Sequence, residues 1–595
     1  MPAMHPMKPL EEYDISPTTG FLPPEPPLRR LPDPYFAPWE SMMDDFNGLL
    51  LAGKLRRSVE KMPMLDYRRL KTTPEYRRAF LVLCMISHGY VWGKHEKTSE
   101  TLPANLAVPW TGIANHLGLC PVVCNAAVVL WNYRLLDEDG PIDLSNLAAL
   151  ATYSGSLDES WFYLVTTAIE SAGAPSITAI VNAINHIHEN NQVALLNDLE
   201  TIRNSLSTMN DVLQRMYEKC DPYVFYWKIR PYLAGWENMA EAGLPFGLIY
   251  EGVDSLWDSE TDEYADMSHL SEGERLLRQY RRYAGGSAAQ SSLIATLDVA
   301  LGVAHYPTGE KSTKTAAAGT TPPNDTGIKD RYKGLPTPNP ADELHQNNDD
   351  DQQPSTPQIY KKSSAPPFVR TNRNAFLSAM RAYMPRPHRE FLEDLETACN
   401  IRPYMMQLQE HKHTLTDNEK DLIKVYNEIL GLLKNFRDIH VRIVTLYIVN
   451  QARKGPNIAH GGFAIDTGDV SEPVAKKTKV EHNVLYPQTA LETEPHIREG
   501  SLSAKVSKIF PELGLAKYVD PKTGVVRGTG GTNVLPFLKQ SRDETADAKI
   551  DISSSSSSSS SKAVASNEME DQTSTSSSTL GKRPRRSWRD WFSVR

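Results

Sequence analysis

The chain has 595 residues, of which 40% are hydrophobic, and a formal net charge of -9 at pH 7. Because the net charge is negative, the protein has no overall positive potential that would favour binding to nucleic acid. No run of eighteen or more apolar residues predicts a membrane span, and the first residues lack the apolar core of a signal peptide. We therefore expect a soluble, cytoplasmic protein that binds neither nucleic acid nor membrane.

The cysteines predict reduced thiols and no disulfide framework, because none of them forms a CxxC pair. Cys120 and Cys124 would share a helix face if their segment is helical, but no histidine or further cysteine completes a zinc set, so we interpret them as core residues. The five cysteines are Cys84, Cys120, Cys124, Cys220 and Cys399.

The first 150 residues predict an arm and a small helical domain. Residues 1–40 are rich in proline, which disfavours helix, so we expect an extended arm that lies against a folded surface. Residues 41–150 carry helical apolar patterns such as RRAFLVLCMISHGYVWG, which begins at Arg77. The DEDG sequence at Asp137–Gly140 predicts a turn that helps to close this domain.

A larger helical domain is predicted over residues 151–455. Apolar periodicity indicates three successive helices between Leu157 and Cys220. Pro231 disfavours the α conformation of the residue before it, which predicts a helix break at Arg230. No segment shows convincing strand periodicity, so the predicted fold class is all-α.

Polar segments interrupt and follow this domain, at about 306–370, at 456–520 and at 543–595. These segments contain too few apolar residues for burial to offset the conformational entropy that is lost when a core forms, so we expect loops or disorder. Residues 521–542 lie between the last two and carry a glycine-rich loop and the final helix. Lys476–Lys479 and Lys582–Arg586 resemble weak nuclear-import signals, although short basic runs are common by chance.

A predicted helix over Gly431–Arg453 places a histidine in the middle of an apolar stripe. Two explanations are open for this imidazole. It is either a core histidine whose ring nitrogens meet backbone carbonyls, or an axial ligand to haem iron that projects from an apolar wall. Periodicity alone does not choose between them. The stripe consists of Leu432, Phe436, His440, Ile443 and Tyr447.

Five stretches together resemble the indoleamine 2,3-dioxygenase family. FRDIHVRIVTLYI, around His440, is similar to the proximal-histidine helix of that family. Four further stretches agree in chain order and, with the first, span most of the chain outside its polar segments. They are RPYLAGW at 230–236, YAGGSAAQSS at 283–292, MPRPHREFL at 384–392 and RGTGGTNVLPFLK at 527–539.

The resemblance implies two helical lobes with haem b held between them, mainly by the larger C-terminal lobe. The implied reaction adds both atoms of O₂ across the indole C2–C3 bond of L-tryptophan and yields N-formylkynurenine, the first step of the kynurenine pathway and of NAD precursor supply. An electron donor would keep the iron ferrous, and a monomer is expected. No acid–base residue is implied, because the cofactor performs the oxygen chemistry.

Three alternatives stay open at this point. The same scaffold could serve as a non-catalytic haem or O₂ carrier, but a carrier has no use for a carboxylate clamp or a substrate lid. A peroxidase-like enzyme would need a distal histidine or arginine, and no distal histidine is evident. A wholly structural helical protein would show no Soret band.

The resemblance also assigns substrate contacts. Arg230 matches the residue that binds the substrate carboxylate, a role that suits the planar guanidinium because it can donate two parallel hydrogen bonds. Alternatively, Arg230 is a structural residue at the helix break. Thr166 could instead bond back to its own helix. The further implied substrate contacts are Phe225, Tyr226, Phe162, Thr166 and Thr529.

Cofactor contacts follow from the same resemblance, with His440 as the proximal iron ligand. The glycine-rich turn would bring Gly286, Ser287 and Ala288 close to the haem. Asp298 lies in an apolar helix and needs a partner, which the resemblance supplies as Arg437. Alternatively, Arg437 binds a haem propionate.

Three further positions take their interpretation from the family pattern. Asn125 and Val128 match its small-lobe pocket wall, although an aromatic residue is common at the first of them. GTGGT at 528–532 resembles the mobile loop that closes over the substrate, or, taken alone, a flexible linker. His388 follows two prolines, and we expect it to hold that turn rather than the iron.

Overall fold

Helices form most of the computed structural model. It describes residues 7–93, 97–253, 257–258, 263–264, 279–306, 375–454, 528–529 and 534–551. The all-α prediction is confirmed as the fold class. The predicted polar segments at about 306–370 and 456–520 lie outside the described residues, apart from Tyr306. Of the predicted disordered tail at 543–595, residues 543–551 are described, and that prediction was wrong for them, because the helix that begins at Val534 continues to Asp547 and Thr545, Ala548 and Ile550 are buried.

The N-terminal arm packs on the helices through buried side chains, among them Tyr13, Phe21 and Leu22. It contains short 3₁₀ turns at Leu10–Tyr13 and Pro34–Phe36 and is otherwise irregular. The first helix begins at Ala37, four residues before the predicted domain boundary. Five helices follow the arm: α1 (Ala37–Asp44), α2 (Phe46–Leu51), α3 (Leu55–Lys61), α4 (Thr73–Trp92) and α5 (Ala104–Leu117).

Helix α4 is the buried centre of this region. Thr72 caps its first turn by accepting a hydrogen bond from the Glu75 backbone N–H, and Pro74 occupies the first turn, where a missing N–H costs nothing. Nearly every residue of α4 is buried. The helix is therefore covered on all sides, and its buried Arg78 is paired with Glu40.

Two long helices come next. The Ser156 side chain caps α6 (Leu157–His188), and α7 (Gln192–Gln214) packs along it. Two short helices, α8 (Met216–Lys219) and α9 (Pro222–Val224), lead to the RPYLAGW stretch.

Seven helices make up the rest of the described chain. The longest, α14, begins with a reciprocal capping box between Thr416 and Glu419. It packs between α7 and the last helix, α16. The helices are α10 (Ser292–Ala300), α11 (Ala375–Met380), α12 (Arg386–Ala398), α13 (Ile401–Glu410), α14 (Asp417–Val444), α15 (Asn450–Lys454) and α16 (Val534–Asp547).

Short strands are present that periodicity did not predict, because two or three residues are too few to show alternation. An antiparallel hairpin pairs β2 (Tyr133–Leu135) with β3 (Leu147–Ala149) and encloses the predicted Asp137–Gly140 turn. In the other sheets, β4 pairs with both β1 and β7, and β5 pairs with β6. These strands are β1 (Thr101–Leu102), β4 (Leu248–Tyr250), β5 (Trp257–Asp258), β6 (Glu263–Tyr264) and β7 (Tyr280–Arg281).

Helix α6 is long and apolar enough to cross a membrane by length and composition alone. In the structure, 67% of its most apolar window is buried within the protein. Its apolar surface is thus covered by α7 and its other neighbours, as in a core helix.

Candidate functional site

A cavity of about 1140 Å³ lies among the helices. This volume slightly exceeds the roughly 300–1,000 Å³ usual for small-molecule sites, so it offers room for a cofactor together with a substrate. Every predicted site residue except Tyr226 lines it. The lining residues from that prediction are Phe162, Thr166, Phe225, Arg230, Gly286, Ser287, Ala288, Asp298, Arg437, His440 and Thr529.

His440 lies on α14 and is only half-buried, because its ring borders the cavity. Burial and the neighbouring Arg437 charge lower the pKa of His440 to about 4, so the ring is neutral at pH 7. A core histidine would have ring nitrogens hydrogen-bonded to backbone carbonyls. Among the residues that the structure describes, none hydrogen-bonds to the His440 ring, so they do not support that explanation. A neutral imidazole facing a cavity has the donor character that an iron ligand requires.

The donor set fits haem better than a bare metal ion. Within the described ranges, no three His, Cys, Asp or Glu side chains cluster as a metal-ion site would require. The other imidazole on the cavity wall, His305, is held by carboxylates on both ring nitrogens. His440 is therefore the available nitrogen donor among the described residues of the wall.

Three π-helical turns border the cavity, at Ala126–Leu130, Phe225–Ile229 and Thr445–Val449. Each contributes lining residues, such as Val128, Phe225 and Tyr447. π-turns are rare and often occur at functional sites, because the extra residue redirects side chains from the helix axis. None of the three was predicted from the sequence.

Arg230 is completely buried at the junction of one π-turn and the 3₁₀ turn Arg230–Leu233. Its φ and ψ of -51° and -37° are α-helical, so the expectation from Pro231 was wrong for the backbone of this residue. The helix changes type at Arg230 instead of stopping. Burial lowers the pKa of Arg230 from its usual value.

Tyr226 is the one predicted substrate contact that does not line the cavity. Its ring is buried, and the Arg230 guanidinium lies over it at 5.1 Å from the ring centroid. A cation over an aromatic face is favourable, more so where water is excluded. The position of Tyr226 thus makes it a support for Arg230 rather than a wall of the pocket.

An aromatic wall runs from α6 to the π-helical turn that follows α14. The Phe162 and Phe225 ring centroids are 4.7 Å apart, and those of Phe225 and Tyr447 are 5.8 Å apart in an edge-on arrangement. Thr166 lines the same region while its Oγ1 donates to the Phe162 carbonyl at 3.1 Å. Thr166 therefore bonds back to its own helix and also lines the cavity, while a contact with substrate stays a prediction.

The RPYLAGW, YAGGSAAQSS and GTGGT stretches meet through their backbones. The Gly286 N–H donates to the Leu233 carbonyl at 3.0 Å, and the Gly285 N–H donates to the Thr529 carbonyl at 3.1 Å. A Cβ on Gly285 would lie 2.2 Å from the Leu233 oxygen, so only glycine fits there.

Thr529 adds a side-chain hydrogen bond to the Gly286 carbonyl. Residues 530–533, which hold the rest of the predicted lid, lie outside the described residues. The described contact brings the start of the GTGGT stretch to the cavity wall beside the glycine-rich turn. Ser287 caps the turn that follows it by accepting a hydrogen bond from the Ala289 N–H at 3.2 Å.

Asp298 and Arg437 form the predicted buried pair. Arg437 Nη2 donates to both Asp298 carboxylate oxygens, at 2.7 and 2.6 Å, and Nη1 donates to Thr545 at 2.6 Å. Burial by itself raises the pKa of Asp298, but the Arg437 and His305 charges lower it to about 2. If Arg437 bound a haem propionate instead, its guanidinium would have to do so in addition to its hydrogen bonds with Asp298 and Thr545.

Glu170 is a buried acid on the cavity wall that sequence reasoning missed. Its Oε1 accepts a hydrogen bond from the Ser291 hydroxyl at 2.8 Å. Burial raises the pKa of Glu170 to about 7, although the neighbouring Ser291 and Asn125 side chains lower it. Its spacing of four residues from Thr166 on α6 is the signal that could have found it.

His388 is buried, 3.3 Å from the Ser292 hydroxyl, and packs against the Phe21 ring outside the cavity lining. It lies within α12, and a role in holding the turn before that helix stays a prediction. All five cysteines are free thiols, four of them buried. The prediction that Cys120 and Cys124 are core residues is confirmed, but their segment is not helical, so they share no helix face.

The sequence profile of the indoleamine 2,3-dioxygenase family matches residues 9–548. An indoleamine 2,3-dioxygenase of Saccharomyces cerevisiae is 31% identical over 565 residues, which cover 93% of this chain and 96% of that protein. Indoleamine 2,3-dioxygenase 2 of Homo sapiens is 28% identical, with 91% and 95% covered. A 6-hydroxytryptophan 2,3-dioxygenase of Fusarium equiseti is 27% identical, with 74% and 85% covered. The matched span contains all of the cavity-lining residues described above.

Proposed function

The chain belongs to the indoleamine 2,3-dioxygenase family of haem-dependent dioxygenases, and from this premise we propose that it converts L-tryptophan and O₂ to N-formylkynurenine. The observation that carries the proposal is a single cavity that presents both the neutral His440 ring and the buried Arg230 guanidinium. An amino-acid substrate needs such a cation for its carboxylate, whereas a simple O₂ carrier does not.

His440 would hold the haem iron, and the Gly286–Ala288 turn would pack against the macrocycle. When bound, the haem supplies the activation of O₂, which no amino-acid side chain can perform. The residues of the chain then have to bind the indole, orient it and exclude water.

Arg230 is proposed to bind the substrate carboxylate through two parallel hydrogen bonds. Because the guanidinium is completely buried and lies over the Tyr226 ring, it is already desolvated and oriented before substrate arrives. Charge-assisted hydrogen bonds are strongest in such an environment. They fix the indole end of the substrate relative to the cofactor.

Phe162 and Phe225 are proposed to pack against the indole ring. The two rings contact each other at the cavity wall, so their shape can position the indole. Neither ring has an acidic proton to donate to the substrate. Thr529, anchored on Gly286, is proposed to close the substrate side with the rest of the GTGGT stretch. Exclusion of water matters because water can divert reactive intermediates into side reactions.

The decisive assay mixes the reduced, haem-loaded protein with L-tryptophan in air and follows the absorbance of N-formylkynurenine. A parallel reaction with 6-hydroxytryptophan tests whether a substituted indole is preferred, since one relative carries that substrate in its name. We expect turnover of L-tryptophan with both oxygen atoms of labelled O₂ in the product. Reversible O₂ binding without product would contradict the proposal and favour a carrier.

A His440→Gly variant provides the control for the cofactor. We expect it to fold, to lose its Soret band and to regain it when free imidazole is added, because the exogenous ring occupies the vacated ligand position. Full haem retention without imidazole would show that another residue binds the iron.

A further inference from the structure

A buried cluster of charged side chains lies beside the cavity and includes two residues to which the proposed function assigns no role. Asp298 on α10 and Arg437 on α14 form the pair described above. His305, seven residues after Asp298, and Glu544 on α16 extend it. All four side chains are nearly inaccessible to solvent, with exposed fractions of 7 to 11%.

His305 joins the two carboxylates of this cluster. Its Nε2 lies 3.1 Å from Asp298 Oδ2, and its Nδ1 lies 2.7 Å from Glu544 Oε2. Only the doubly protonated ring can donate to both oxygens. Burial by itself lowers the pKa of His305, but the Asp298 and Glu544 carboxylates raise it to about 9.

The cluster is electrically balanced only when His305 is an imidazolium. The two cations, Arg437 and His305, then face the two anions, Asp298 and Glu544. Loss of the imidazolium charge leaves one buried negative charge in excess, which is costly where water cannot solvate it. The remaining hydrogen bonds of Glu544 come from neutral groups, the Tyr306 N–H at 2.9 Å and the Gln540 side chain at 2.8 Å.

The cluster also connects the helix of the iron ligand with the last helix of the described chain. Arg437 lies one turn before His440 on α14, and its charge acts on the His440 ring. Thr545, adjacent to Glu544 on α16, accepts the second hydrogen bond of Arg437 at 2.6 Å. A change in charge at His305 is thus transmitted to the environment of His440 through one carboxylate and one guanidinium.

We propose that His305 is a positioning residue for the haem site, which, with Glu544, holds the Asp298–Arg437 pair electrically neutral and in place beside His440. This inference rests on the proposed haem ligation by His440. The consequence is measurable at the iron, because an added negative charge nearby stabilises ferric over ferrous haem.

The test measures the haem midpoint potential, without substrate, in His305→Gln, Glu544→Gln and the double variant. His305→Gln leaves an excess negative charge, so we expect a lower potential. Glu544→Gln, measured at about pH 6 where the imidazolium persists, should raise it. The double variant is neutral again, since only Asp298 and Arg437 remain charged, and its potential should return to that of the wild type.

Lys434→Gln is the matched control, because it removes one positive charge from the partly exposed face of the same helix. Solvent and salt screen that position, so its potential should not move. Equal potentials in all variants would overturn the proposal. A double variant whose potential stays as far from the wild-type value as that of either single variant would also overturn it and leave His305 a purely structural residue.

Failure of the proposed function is recognised separately, because the potential does not depend on turnover. A protein that binds haem but forms no N-formylkynurenine refutes the function and still yields the potentials of the wild type and of every variant. If no haem binds, the apoprotein supplies the readout through its thermal unfolding. The balanced cluster predicts that His305→Gln lowers the apoprotein melting temperature and that the double variant restores it, whereas equal melting temperatures overturn the inference.

Discussion

At the scale of single residues, the site consists of ionisable groups that burial keeps in unusual states. His440 is neutral, Arg230 is a cation without access to water, and Glu170 has a pKa near neutrality. Each state costs free energy in the folded protein, and perturbed groups of this kind gather at functional sites. We therefore expect a ligand or a neighbouring group to interact with each of these buried side chains and to offset that free-energy cost.

Replacement of Arg230 by Ala tests the carboxylate clamp. We expect kcat/KM for L-tryptophan to fall by an amount worth roughly 2–3 kcal/mol, the value of lost charge-assisted hydrogen bonds. Tryptamine lacks the carboxylate, so the same variant should lose little of whatever turnover tryptamine supports. An equal loss for both substrates would move the carboxylate site elsewhere.

Replacement of Glu170 by Gln tests the buried acid. The folded-state pKa of about 7 lies above the usual value of 4.5, so the stability contributed by this carboxyl is present below pH 4.5 and lost as the pH rises through 7. Glutamine mimics the protonated form at every pH. Relative to wild type, the free energy of unfolding of Glu170→Gln should therefore rise by up to roughly 3 kcal/mol between about pH 4.5 and about pH 8. A difference that does not vary with pH would contradict this assignment.

At the scale of elements, backbone contacts unite stretches that are far apart in sequence. The RPYLAGW segment and the glycine-rich turn approach so closely that Gly285 and Gly235 face one another without side chains. The neighbouring Gly286 borders the cavity, and the atom nearest to a Cβ placed on it is 3.8 Å away. Two adjacent glycines thus serve different purposes.

This difference predicts opposite effects of two methyl groups. Gly285→Ala should destabilise the protein by about 1–3 kcal/mol or prevent folding, because the new Cβ meets the rigid Leu233 carbonyl. Gly286→Ala should fold with a free energy of unfolding close to that of wild type. Chemical denaturation of both apoproteins is the measurement, and equal stabilities would mean that the two segments separate easily.

At the scale of the whole molecule, helices from distant parts of the chain enclose one cavity. We propose that the insert at about 306–370 is a spacer. His305, just before it, and Phe376, just after it, both line the cavity wall. The helices α10 and α12, on either side of the insert, pack against one another.

Deletion of residues 310–365, with a short flexible linker in their place, should leave folding and turnover of L-tryptophan nearly unchanged. The reason is that the composition of this segment is too polar to contribute to a core. Circular dichroism and steady-state kinetics provide the comparison with wild type. Loss of folding or of turnover would show that the insert completes the cavity wall.

The sequence by itself determined the helical class and the apolar stripe that carries His440, and its family resemblance identified eleven of the residues that line the cavity. Helical periodicity and short motifs are local in the chain, and local signals predict local structure. Such signals also placed the Asp137–Gly140 turn correctly and identified Cys120 and Cys124 as core thiols.

Only the tertiary structure decided which of those residues act together. It turned Tyr226 beneath Arg230 and away from the cavity, kept Arg230 helical in spite of Pro231, and extended α16 past the predicted boundary at residue 542 to Asp547. It also brought His305 to Glu544 across 239 positions of sequence. Such outcomes depend on the packing of distant segments and on the energy of buried charge, which no pattern within a single stretch records.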